Sequence, residues 1–217
     1  MNDLLGLGDR PVSREARLRE ARGGLLLLGA SVALMWLVEA VNSIDGNGLD
    51  SDGIHARSLP YFWGILTSPF IHASFQHLID NTIPFIFLGV IIAVRGALRL
   101  GVVTGLIIVI GGIGTWLISP AHVVTIGASG VVFGYATYLL TRGVFDRSPL
   151  ELAIGVIVGV VWGAVLLASL MPQHGVSWQA HVCGGIAGVI VAWRMSRYDR
   201  RPNRQQVRAG TGSLRPT

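Results

Sequence analysis

The sequence predicts an all-α, polytopic membrane protein built as a six-transmembrane-helix bundle, on three observations. Of 217 residues, 51% are apolar and only 13% charged, against roughly 25% charged in soluble domains. Six stretches, near 23–43, 77–96, 99–118, 127–142, 149–170 and 178–195, are apolar enough to cross a hydrocarbon core of about 30 Å. The 17 basic residues, all arginine, are unevenly placed. Five precede the first stretch, Arg95 and Arg99 lie between the second and third, Arg142 and Arg147 between the fourth and fifth, and seven run from Arg194 to Arg215. Only Arg57 falls elsewhere.

Cationic loops stay on the cytoplasmic side, so the pattern puts both termini in the cytoplasm of a cell-membrane protein. The connections after the first, third and fifth stretches then face out. Three regions follow: a cytoplasmic tail at 1–22, a membrane domain at 23–195 and a basic tail at 196–217. The net charge of +5 reads as a topology signal that meets anionic membrane lipid, not as a nucleic-acid footprint. A single cysteine, Cys183, excludes an internal disulfide and any cysteine-based metal cluster, and its setting reads as packing.

Taken in order, the tail mixes Arg and Glu as an amphipathic surface helix would. The first stretch carries Glu39 near its outer end, expected to bond a neighbouring loop, since an acid at that depth faces protein or water. The long connection 42–76 opens on the turn sequences Asp45-Gly46-Asn47-Gly48 and Asp50-Ser51-Asp52-Gly53. These lack the terminal Glu of a calcium loop. Its second half, from Leu59 to Phe70, is aromatic and broken by two prolines, which suits the membrane interface. In the second stretch His77 and Asn81 are four apart and share one helical face, Asn81 about 6 Å deeper. Small residues in the third stretch (Gly111, Gly112, Gly114), in the fifth (Gly155, Gly159, Gly163) and in the sixth (Gly184, Gly188) mark close helix contacts.

The fourth stretch opens on Gly127-Ala128-Ser129-Gly130, whose small residues leave the Ser129 hydroxyl uncovered. Alone this is a common packing sequence. His181 near the start of the sixth stretch is, alone, a satisfied polar residue. Together with Asn81, however, both lie about one turn below the outer surface on alternate stretches that enter from the same side. A histidine beside a serine can take its proton and make it a nucleophile. The Asn81 amide, the His77 ring and the Ser129 N–H are donors for the resulting oxyanion. No acid is placed to complete a triad, so a dyad is expected. A channel or transporter would also bury polar residues, yet needs no such set at one depth.

The motifs His72-x4-His77-x3-Asn81, Gly127-x-Ser129-Gly130 and Ala180-His181-x2-Gly184-x3-Gly188, in this order on these stretches, resemble the rhomboid intramembrane serine proteases of the minimal six-helix bacterial type. The resemblance implies a rhomboid bundle without metal or cofactor, whose substrates are transmembrane segments of single-pass proteins. It assigns Ser129 as nucleophile, His181 as base and acid, and His77 and Asn81 as oxyanion donors. His72, Gly127, Gly130 and Phe133 become supporting residues, His72 ordering the outer loop and Phe133 packing on His181. The alternative is a catalytically silent relative that binds transmembrane helices. Two departures stand out: the family's Trp-Arg pair is missing, Trp63 being followed by Gly64, and Asp80 occupies a position more often apolar.

Overall fold

The computed structural model describes residues 13–171 and 175–199. Expectations for residues 1–12, for 172–174 and for the tail from Arg200 onward lie outside the described residues. Among the described residues the helices are seven: α1 (Arg14–Ile44), α2 (Gly64–Thr67), α3 (Phe75–Ala93), α4 (Ala97–Ile118), α5 (Ser129–Asp146), α6 (Pro149–Ala168) and α7 (Trp178–Asp199). A two-residue antiparallel ladder joins β1 (Ile54–His55) to β2 (Val124–Thr125), pairing Ile54 with Thr125 and His55 with Val124.

Short polar residues start the helices by accepting orphan N–H groups. Ser13, Ser74 and Ser148 accept from Ala16, His77 and Glu151, and Pro149 supplies the preset first turn of α6. At its far end α5 stops on Arg147 in the left-handed conformation. Between the capped ends, α1 runs unbroken for 31 residues, so the basic residues from Arg14 onward belong to the first long helix and not to a separate surface helix.

The protein is an all-α bundle with several apolar helices. Four of them, α1, α3, α4 and α6, are long and apolar enough to cross a membrane. By length and composition α5 and α7 fall short of the six spans expected. Their sequences are diluted by glycine, threonine, tyrosine and arginine because they lie inside the bundle, where small residues set the spacing. Side chains at Gly184 and Gly188 of α7 would run into the carbonyls of Gly130 and Gly134 of α5. A Cβ on Gly111 of α4 would sit 3.1 Å from the Gly184 Cα, so Gly184 is clasped between α4 and α5. Cys183 is buried with its sulfur 2.9 Å from where a Cβ on Gly114 would lie, a packing role.

The stripe on α6 behaves differently along its length. Gly155 lies against the carbonyls of Leu139 and Leu140, Gly159 against the Leu140 side chain, and Gly163 has nothing within 4 Å. Two ends of the bundle can therefore be told apart. A loop end bears the connections 45–74, 119–128 and 169–177, and a turn end bears the tight links 94–96 and 147–148.

Candidate active site

At the loop end, local structure brings residues distant in sequence to one spot. Ser74 caps α3 by accepting from the His77 N–H at 3.2 Å, fixing where His77 leaves the helix start. One turn on, the buried Asn81 donates an amide N–H back to the His77 carbonyl at 2.8 Å. Both side chains face Gly127. A Cβ there would stand 2.7 Å from His77 Cε1, 2.8 Å from its Nε2 and 3.9 Å from Asn81 Nδ2. Gly127 also has φ +109°, a conformation that other residues avoid, and its N–H donates to the Ser68 carbonyl at 2.8 Å. Only glycine meets both demands.

The next residue is tied as closely. The Ala128 N–H donates to His72 Nε2 at 3.3 Å. That bond makes Nε2 an acceptor, so the neutral ring carries its proton on Nδ1. Burial, reinforced by the nearby His77, lowers the His72 pKa to about 4, and the two rings meet edge to face at 5.1 Å. Ser129 follows as the first residue of α5, half-buried, in a helix start with no side-chain cap. Its N–H is thus among the orphan donors at the positive end of an 18-residue helix.

From the other side comes α7. Gly130 allows the Ala180 carbonyl to within 3.2 Å of where its Cβ would be. The buried His181 ring stacks on Phe133 at 4.3 Å and 9°. Because Phe133 lies four residues after Ser129, both are on one face of α5, a turn apart. His181 Nδ1 lies 2.8 Å from the Ser169 carbonyl oxygen. A carbonyl can only accept, so Nδ1 carries the proton and Nε2 keeps its lone pair.

Sequence reasoning missed three contributors. Ser169 acts through its backbone carbonyl, which no side-chain pattern advertises. Asn42, fully buried, donates to Asp50 at 2.8 Å and to the His72 carbonyl at 3.2 Å, and accepts from the Leu49 N–H at 2.9 Å. An amide one turn from Glu39 in an apolar helix was the available signal. Arg57 donates through Nη1 to the Leu117 and Ser119 carbonyls, both at 2.8 Å. It caps the end of α4, which explains the one arginine outside the charge pattern. Together with Trp116, which donates to the Ser58 carbonyl at 3.3 Å and meets Phe62 edge-on, it anchors the loop that lacks the Trp-Arg pair.

Two side chains differ from expectation. Glu39 accepts from Ser43 on its own helix at 3.4 Å rather than bonding a loop, because burial in α1 leaves its own next turn as the nearest donor. Asp80 is exposed and accepts from Gln76 at 2.8 Å.

A helical membrane-type bundle with several apolar helices thus carries Ser129 at a helix start, and His181 stacked on Phe133 one turn further along the same helix. The family model for the Rhomboid domain matches residues 60–198. An uncharacterized protein of Mycobacterium tuberculosis is 39% identical over 209 residues, covering 92% of this chain and 86% of that protein. Rhomboid-like protein 11 of Arabidopsis thaliana, described as chloroplastic, is 30% identical across 65% of this chain and 55% of its own length. YdcA of Bacillus subtilis, provisionally named a rhomboid protease, is 30% identical across 61% and 66% respectively. The chain belongs to the rhomboid family.

Proposed function

We propose that this protein is an intramembrane serine endopeptidase that cuts transmembrane segments of single-pass proteins with a Ser129–His181 dyad. In this reading α5 and α7 also span the bilayer, giving six spans with both termini cytoplasmic and the loop end outside. The observation that carries the proposal is the pose of His181, stacked on Phe133 one turn below Ser129 with its Nδ1 proton held by the Ser169 carbonyl. Nε2 is then the basic atom, and the carbonyl does for the ring what an acid does in a triad: it fixes the tautomer and favours the cation that forms.

Attack by Ser129 Oγ on a scissile carbonyl sends its proton to His181 Nε2. The oxyanion is met by the Ser129 N–H at the helix start, the second Asn81 amide N–H and the His77 ring. His181 then protonates the leaving amine, and the ester is hydrolysed by water activated at the same nitrogen. Glycines at 127 and 130 leave room for a substrate backbone. The work of His72 is one step removed, holding Ala128 and so the serine.

The test is incubation of the detergent-purified chain with a fluorophosphonate and, separately, with a single-pass substrate whose helix is destabilised near the loop end. Labelling of Ser129 and cleavage lost in both Ser129→Ala and His181→Ala, with helical content unchanged, is expected. Cleavage surviving either substitution sinks the dyad. Absent labelling and cleavage in the folded wild type would favour the silent helix-binding relative.

A further inference from the structure

A large cavity lies at the turn end, away from the proposed dyad. It encloses about 1000 Å³ between the start of α1, the α3–α4 turn and the last turns of α7. Five arginines line it, Arg19, Arg95, Arg99, Arg194 and Arg197, against one acid, Glu20. Its walls are set by close packing: a side chain on Gly24 would collide with the Ala93 carbonyl, and Gly96 lies against Glu20. Arg95 is engaged by Glu151 at 2.5 Å, and the Arg197 guanidinium rests on the Trp193 ring at 4.2 Å.

A second, independent feature points the same way. The 22-residue α4 begins inside the cavity at Gly96, Ala97 and Leu98, and no side chain caps its start. Orphan N–H groups and the positive end of the helix dipole favour an anion there. The floor is apolar, with Val102 and Met195 in the lining and Leu98 82% exposed. Small-molecule sites span roughly 300–1,000 Å³, so this cavity is too large and too apolar to be shaped for a free phosphate ion. Residues 200–217 add five arginines and no acid.

We infer that this cavity binds the headgroup and upper acyl chains of an anionic phospholipid, with its phosphate at the start of α4 between the arginines of α1 and α7. The lipid would tie the ends of α1 and α7 to the α3–α4 turn. This site is independent of the protease reading, since it is read without any cleavage.

The experiment is native mass spectrometry of the full chain in neutral detergent, titrated with dioleoylphosphatidylglycerol and, in parallel, dioleoylphosphatidylcholine. Tighter retention of the anionic lipid, by about tenfold or more, is expected. At about fivefold per charge, Arg19→Gln with Arg194→Gln should erase that preference, while Lys at both positions restores it. Arg147→Gln removes a charge from the same end without lining the cavity and should change retention less than about twofold. Equal retention of the two lipids would overturn the inference, as would equal loss in Arg147→Gln. Displacement of the lipid by millimolar inorganic phosphate would overturn it too, assigning the site to the free ion.

Discussion

Around Ser129 the polar side chains are His72, His77, Asn81 and His181, and the bonds seen there run to backbone groups: His72 to Ala128 N–H, Asn81 to the His77 carbonyl, His181 to the Ser169 carbonyl. At the turn end the polar side chains are ions. Arg142 of α5 meets Asp146 at 3.0 Å and Glu151 at 3.6 Å, donates to the Tyr138 hydroxyl, and shares Glu151 with Arg95. Backbone partners fix position closely. Ion networks tolerate small movements and bind helix ends together. One end is built for geometry and the other for cohesion, and substitutions at each should separate the two.

The largest expected effect is at the helix contact beneath Ser129. Gly184→Val drives a side chain into Gly130 of α5 and the facing Gly111 of α4, with no flexible neighbour to give way. Thermal unfolding in detergent should show a loss of about 4 kcal/mol or more. Gly163→Val, which meets nothing within 4 Å, should stay within about 0.5 kcal/mol. Similar behaviour of the two variants would mean that α5 and α7 are not held by glycine contact.

Next comes Arg142→Gln, which strands Asp146 in a largely buried setting and leaves Glu151 to Arg95 alone. Removing one partner of a buried pair costs about 3 kcal/mol. Fluorophosphonate labelling of whatever protein remains folded should proceed at the wild-type rate, since this end does not shape the dyad. Labelling that falls further than the folded fraction would erase the division between the ends.

How far this division was legible in the sequence follows from what each device is made of. Side-chain devices stood out in the sequence: Ser129, His181 and Asn81 as polar residues expected at one depth, and Gly184 and Gly188 as a close contact with a neighbour, which the structure shows to be α5. Backbone devices did not, because Ser169 contributes a carbonyl that every residue possesses. The ladder at 54–55 and 124–125 is two residues long, too short for any alternation to register. The sequence reading counted six spans, and α5 and α7 fall short by composition for a physical reason. Helices enclosed by others need small residues more than apolar ones, so the central helices look least like membrane spans.

His72 gives a pH test of the loop end. Its pKa is about 4 in the folded protein and about 6.5 when unfolded. Between those values the unfolded chain binds the extra proton, so stability is full above about pH 6.5 and is lost as pH falls toward 4. Between pH 7 and pH 5 this group alone costs about 2 kcal/mol. His72→Phe should flatten that part of the profile while lowering stability at pH 7 by about 1–2 kcal/mol, because the Ala128 N–H loses its acceptor. An acid-induced loss equally steep in the variant would assign the dependence to another group.

The smallest effect sharpens the comparison most, since Arg57 is the one cation at the loop end that bonds the backbone. It is held at φ +58°, a conformation costing a non-glycine residue about 1 kcal/mol, and its guanidinium satisfies two carbonyls at the end of α4. Arg57→Gln keeps the strain and loses the cap, so stability should drop by about 1 kcal/mol. Arg57→Gly loses the same cap but removes the strain, and should stand close to wild type in thermal unfolding. The loop should nevertheless loosen in both, giving faster proteolysis between Ser58 and Phe70. Were Gly as destabilising as Gln or more so, relief of the left-handed backbone at position 57 would contribute nothing, and the loop would depend on the guanidinium bonds alone.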